Sequence, residues 1–305
     1  MAQNAQHYVP PTHDGVGPSC VALPSAEWPL LIDFLVQRFP AISRPTWAER
    51  MAQGEVLDAA GAALPSTAPY CSQSKIYYYR SLPDETPIPF ESCILFQDET
   101  LIVCDKPHFL PVIPSGRYLQ QTLLVRLKRQ LGIDTLAPVH RIDRETAGLV
   151  LFTVQPSARA AYQALFRDRR VSKTYQAIAA WRPELNFPLE VQNRLVDADA
   201  FMQMRVVDGT PNAITTVDVE AVQGDLARYC LRPCSGQRHQ LRVQMAALGM
   251  PILNDRIYPT LLPEQTGTAA PDYSQPLQLL ARSIEFVDPI TGQLRQFESR
   301  LRLQF

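Results

Sequence analysis

The stretch HRIDRETAGLVLF, residues 140–152, concentrates residue types that do chemistry. In an extended segment alternate side chains share a face. His140 and Ile142 then point one way, Arg141 and Asp143 the other. Arg141 and Arg144 flank Asp143, and nearby positive charge favours the ionised carboxylate. An ionised carboxylate can act as a nucleophile or a base. The same residues also fit a structural ion pair at a strand end, and composition leaves both readings open. Farther on, QRHQLRVQMAAL places Arg238 and Arg242 four apart, neighbours on one side of a helix. Leu241, Met245 and Leu248 form the apolar face that anchors it. An arginine beside that face can reach a cleft, where its fork matches a carboxylate.

Other chemistries are excluded. No GxGxxG or GxxxxGK[ST] occurs, which argues against dinucleotide and P-loop enzymes. Glycine is scarce, at 13 of 305 residues, and proline abundant, at 27. The kinase loop HRDLxxxN fails because Ile142 precedes the aspartate, the asparagine is missing and no glycine-rich loop exists. The six cysteines are scattered, and Cys230 and Cys234 form one CxxxC with no second pair, short of the four ligands zinc takes. Reduced thiols point to the cytoplasm. No apolar run reaches the roughly 18 residues of a membrane span. The first 15 residues lack the basic and apolar regions of a secretory signal.

The elements that must position these residues follow from periodicity. At 46% hydrophobic and 19% charged, the chain has ample core for folding, and its length suggests two domains. Residues 1–27 read as a flexible leader. From Trp28, LLIDFLVQRF has helical spacing and ends at Pro40; TWAERMAQ is a second helix stopped by Gly54; EVLDAAGAAL is a hairpin turning at Gly61. This N-terminal domain spans 28–81, and the proline-rich 82–91 is a linker. In the larger domain, 92–305, strands are expected around Asp98–Glu99, at APVHRI and GLVLFTV, and at 174–181, 201–207, 213–223, 227–233, 283–287 and 294–298. Helices are expected at 123–131, 157–169 (capped by Ser157) and 237–248. Strands outnumber helices without strict alternation, so the class is α+β. Charge is uneven: residues 1–100 hold 5 basic against 11 acidic residues, and residues 117–175 hold 11 against 4. A basic middle suits a phosphate backbone.

HRIDRETAGLVLF resembles the catalytic motif of the RluA-type pseudouridine synthases. Four further segments recur in that family's order: DETLIVCDKPHFLPVIPSG (98–116), VSKTYQA (171–177), CSGQRHQLRVQMAALGMPILND (234–255) and FVDPITG (286–292). The resemblance implies a mixed, mainly antiparallel sheet with flanking helices and a central cleft. It implies that Asp143 attacks or deprotonates the ribose of a target uridine. Tyr175 stacks on the base, Arg242 pairs with Asp143, and Arg141 braces the flipped nucleotide. His140, Thr146, Arg238 and Gln240 are then expected at the substrate. Ala147, Gln244, Asn254 and Leu280 stand where the family often has Ser, His, Gly and His. Residues 28–81 resemble an S-four-like RNA-binding domain with most of its basic residues missing, a degenerate RNA-binding module or a packing domain.

The function expected is isomerisation of uridine to pseudouridine in rRNA or tRNA, by a monomer without metal or cofactor. A non-catalytic RNA-binding protein of the same fold is the alternative.

Overall fold

The computed structural model describes residues 10–80, 85–263 and 271–305. Chain contacts divide it into two units: Met1–Glu85 with Ser115–Gln120, and Thr86–Pro114 with Gln121–Phe305.

In the first unit, α1 (Leu31–Arg38) turns Leu31, Ile32, Phe34 and Leu35 inward. Ser43 caps α2 (Arg44–Ala52) by accepting the Thr46 amide at 3.3 Å, and Trp47 on α2 is fully buried. The expected hairpin forms: β2 (Val56–Leu57) bridges to Ala63, with the Ala62 carbonyl accepting from the Asp58 amide. It belongs to a three-stranded antiparallel sheet in which β3 (Lys75–Tyr78) lies between β1 (Ser19–Ala22) and β2. β1 corrects the expected leader. Residues 1–9 lie outside the described residues, but Ser19–Ala22 pair with β3 and Leu23 is buried. Four residues amid prolines and polar side chains carry no periodic signal of their own; the partner strand supplies it.

The linker expected at 82–91 is also narrower. Residues 81–84 lie outside the described residues. Ile88 is buried, and the carbonyls of Ile88 and Phe90 each accept from Arg126 at 2.6 Å. The Glu85 carboxylate accepts the amides of Leu119 and Gln120 at 2.8 and 2.7 Å, which ties that short segment to the first unit.

The second unit is an 11-stranded sheet. Its central strand order is β10 (Met204–Val207), β9 (Leu189–Asp197), β11 (Ala213–Gln223), β12 (Leu226–Pro233), β8 (Val171–Ala180), β13 (Leu279–Val287), β7 (Ala147–Thr153), β5 (Leu101–Lys106), β4 (Cys93–Gln97). β6 (Ala137–Pro138) pairs with β7, and β14 (Leu294–Glu298) with β13. Every pairing is antiparallel except β7 with β13. There Gly148 lies opposite Ala281, at φ +109°. A Cβ at Gly148 would collide with the Ala281 backbone, so the closest strand approach near the motif requires glycine.

Helices flank this sheet. Thr122 caps α3 (Leu123–Leu131), and Gly132 ends it in the left-handed conformation. Tyr162 and Leu165 of α4 (Arg159–Arg167) pack with Leu149, Leu151 and Phe286. Ser157 is not its cap; it lies in a preceding 3-10 turn, Pro156–Ala158. The last helix, α5 (Gln240–Ala247), is three residues shorter at its start than its apolar spacing predicts, because His239 is left-handed at φ +53°. β9 is a strand that periodicity missed: its sequence, LEVQNRLVD, buries only Val191 and Leu195.

Candidate active site

The loop 139–146 joins β6 to β7 and presents Asp143. Its ends are pinned. The Val139 amide donates to the Leu151 carbonyl at 2.8 Å. His140 stacks on Phe166, with ring centroids 4.6 Å apart, and its Nε2 accepts the Leu151 amide at 3.2 Å. Burial pushes the imidazole down to about 3, so it is neutral and free to accept. Lys106, fully buried at the end of β5, donates to the carbonyls of Pro107, Leu110 and Arg144 at 2.9, 2.8 and 3.1 Å. Burial pulls its ammonium down to about 7, against Glu145 and Asp143, which favour the charge. Nδ1 of His108 lies 2.7 Å from the Glu145 carbonyl. The Thr146 amide closes the turn onto the Asp143 carbonyl at 3.2 Å.

Asp143 is left partly exposed and facing α5. Its Oδ2 accepts from Arg242 Nη1 at 3.2 Å, and its Oδ1 lies 3.8 Å from His239 Nε2. Arg242 is 1% exposed and its main partner is another carboxylate: Nε and Nη2 donate to Asp255 at 2.8 and 2.6 Å. Burial opposes the guanidinium's charge, but Asp255, Asp143 and Glu145 outweigh it and hold Arg242 above its ordinary value. Asp255 in turn accepts the amides of Ile257 and Tyr258 at 2.8 and 3.1 Å. The result is a carboxylate–guanidinium–carboxylate chain with only Asp143 open to an incoming molecule.

His239 sits beside it as the first turn of α5 begins. The Tyr258 hydroxyl accepts the Met204 amide at 2.7 Å and lies 2.9 Å from His239 Nδ1. Burial lowers the His239 pKa, and Asp143 pulls it partly back.

Tyr175 comes from β8, opposite Leu231 of β12 and Ala281 of β13. Burial pushes its phenol up to about 12, and the Asp143 carboxylate adds to the rise. It is therefore a neutral ring beside a negative charge.

Asp143, Tyr175 and Arg242 are thus brought together from three elements. The other expected contacts divide. Arg141 is exposed on the loop. Arg238 is not on α5 at all; the left-handed His239 turns it away, toward Asp197 at 3.3 Å and the Phe201 carbonyl at 2.6 Å. Gln240 is buried, its amide committed to Ser235, Gln237, Ile214 and Thr215. Thr146 is buried as well, so these two support the site rather than line its open side. His140 is half-buried and lines a small pocket with Leu149, Lys173 and Tyr175. Nor do the sequence neighbours of Asp143 pair with it: Arg144 turns to Glu145 at 2.7 Å.

Asp255, His239 and Lys106 were not singled out by sequence. The one available signal was the run PILND, which carries Asp255 just beyond the helix. The unusual residues at family positions have local reasons. Asn254 is left-handed at φ +64°, a conformation Asn tolerates best after Gly. Gln244 is buried, accepting from Thr215 at 2.6 Å, and Leu280 and Ala147 share a core cluster. Among the described residues no group of three or more His, Cys, Asp or Glu could hold a metal ion, and no helix is long and apolar enough to cross a membrane.

The sequence profile of the RNA pseudouridylate synthase family matches residues 100–247. The dual-specificity RNA pseudouridine synthase RluA of Haemophilus influenzae is 30% identical over 217 residues, covering 68% of this chain and 92% of its own. An RNA pseudouridine synthase of Synechocystis is 29% identical over 259 residues, 79% of this chain and 84% of that one. Among solved structures, human RNA pseudouridylate synthase domain containing 4 superposes with a TM-score of 0.53 at 27% identity, covering 68% of this chain and 88% of that one. The chain belongs to the RluA-type family of RNA pseudouridine synthases.

Proposed function

We propose that this protein converts specific uridines of structured rRNA or tRNA to pseudouridine, with Asp143 as the reacting carboxylate. The N1–C1′ bond breaks, the uracil turns, C5 bonds to C1′, C5 loses its hydrogen and N1 gains one. The reaction is a balanced isomerisation. Positive charge develops at C1′ as the bond breaks, which one adjacent carboxylate stabilises, as in glycosidases. Whether through attack at C1′ or removal of a ribose proton, Asp143 must be ionised and aimed. Arg242 aims it, and Asp255 holds Arg242 in place. The neutral Tyr175 ring stacks on the uracil and assists proton movement. Arg141, exposed two residues before Asp143, braces the gap that the flipped nucleotide leaves. Flipping costs a few kcal/mol and is least in loops, which favours uridines in loops of folded RNA.

The observation that carries this reading is the buried Asp255–Arg242 pair presenting a free valence to the half-open Asp143. The reading extends to a monomer, since one chain supplies every group named. It also extends to the cytoplasm, a setting that suits the six free cysteines.

The test is tritium release from C5 of [5-³H]uridine-labelled RNA taken from cells lacking the protein. Asp143→Asn keeps the shape and removes the charge. Its turnover should fall by about a hundredfold to ten-thousandfold, with RNA binding retained. Wild-type turnover by the variant would overturn the assignment.

A further inference from the structure

We propose that Phe201 is a base-stacking residue that takes an unpaired nucleobase beside the target uridine and so helps select the RNA; this rests on the pseudouridine synthase reading above. Phe201 stands at the turn between β9 and β10 and is 85% exposed, more than any other large apolar side chain among the described residues. Aromatic rings offer large areas for burial, and this one lies almost wholly in water. Met202 and Val206 extend the apolar surface beside it.

The turn that carries the ring is not a loose tip. The Ala198 amide donates to the Gln203 carbonyl at 3.1 Å, and the Gln203 amide to Ala200 at 2.8 Å. Arg238 grips it from below, donating to Asp197 and to the Phe201 carbonyl, with its guanidinium carbon 5.7 Å from the Phe201 ring centre. Gln203 Nε2 donates to the Ile257 carbonyl at 2.6 Å, and the Met204 amide to Tyr258. Each of these anchors belongs to the catalytic surroundings. Arg238 adjoins His239, which faces Asp143, and Ile257 and Tyr258 follow Asp255. The hairpin is thus fastened to the elements that aim the carboxylate, and it holds an aromatic face and a cation together at their rim.

A nucleotide matches that pair. A base stacks on an aromatic face whatever its identity, and its phosphate seeks a cation. The chemistry also creates the need. Flipping the target uridine strips its neighbour of a stacking partner, and an exposed ring fixed beside the site can replace it.

The test is a substitution series at position 201 in the full chain, read by tritium release from [5-³H]uridine-labelled bulk tRNA and rRNA of cells lacking the protein. Phe201→Leu keeps apolar volume without a π face; Phe201→Ala removes both; Phe201→Trp and Phe201→Tyr keep the face. The Leu and Ala variants should raise KM about tenfold to a hundredfold with kcat unchanged, while Trp and Tyr stay within about threefold of wild type. A photoreactive benzoylphenylalanine at 201 should crosslink to a nucleotide adjacent to the modified uridine. Equal KM across the series would overturn the proposal. So would a Leu variant matching wild type, or loss of self-association with unchanged RNA kinetics, which would assign the ring to a second copy of the chain. Failure of the wild type to release tritium from any RNA would instead overturn the function itself, so the two readings fail separately.

Discussion

Among the described residues, the two largest fully buried side chains are Trp47 in the first unit and Arg242 in the second. Trp47 is surrounded by Phe39 and Tyr78, with ring centres 5.6 and 5.4 Å away, in a cluster that is otherwise aliphatic and aromatic. Arg242 lies between Asp255 and Asp143. The contrast extends to the whole of each unit: the buried polar and charged residues described, from Asp105 to Ser299, all belong to the second. Burying an aromatic ring stabilises a fold by removing apolar area from water, a gain from which the buried, unbonded Trp47 Nε1–H subtracts. Burying a guanidinium costs several kcal/mol unless its partners are excellent. The first unit is therefore built for cohesion, while the second carries an electrostatic cost beside the proposed reacting carboxylate.

The comparison is sharpest under substitution. Trp47→Ala and Arg242→Met should each lose about 3–5 kcal/mol of stability in urea unfolding. Their pH responses should differ. The Trp47 cavity costs the same at every pH. Without Arg242, Asp255 faces the interior as an unpaired carboxylate, which protonation relieves. The Arg242→Met deficit relative to wild type should then shrink as pH falls from about 7 toward about 4. Parallel deficits across that range would break the distinction.

A smaller effect should appear at His140. In the fold its imidazole is held near 3 by burial, while in the unfolded chain it titrates near its ordinary 6.5. Between those values only the unfolded chain takes the proton, so the histidine's contribution to stability is complete above the upper value and declines as pH falls through the window. Melting temperatures followed from neutral to acid pH should therefore drop more steeply for wild type than for His140→Gln. Equal slopes would mean that the buried ring accepts the proton.

The smallest effect concerns RNA phosphates. Residues 121–175 of the second unit hold 10 basic against 4 acidic residues, while the first unit holds 6 against 8, which predicts that phosphate contacts come from the second unit. If Arg141 meets a phosphate, Arg141→Ala should reduce the slope of log affinity against log salt by about 0.7. Arg44→Ala, which removes the partner of Asp33 in the first unit, should leave the slope unchanged. The opposite result would make the acidic unit the RNA clamp.

Much of the site was legible. Asp143, Tyr175 and Arg242, the proposed reacting groups, stand in short motifs through which the chain resembles its family, and the helices around Leu35 and Leu127 announce themselves by spacing. What escaped were groups defined by a partner elsewhere. Asp255 reads as one acid in a turn until Arg242 is laid against it. β9 hides because most of its side chains face water. Helical spacing groups Arg238 with Arg242, but the left-handed backbone of His239 lets the helix begin only at Gln240.

The sequence by itself determined which chemical groups exist, their order along the chain, and the short-range geometry of turns and helix caps, since those depend on neighbours within a few residues. Only the tertiary structure decided which charges meet. Arg144, one residue away, leaves Asp143 for Glu145, while Arg242, 99 residues away, reaches it. An ion pair depends on distance in space and on exclusion of water, and both are set by how β7, β8 and α5 pack.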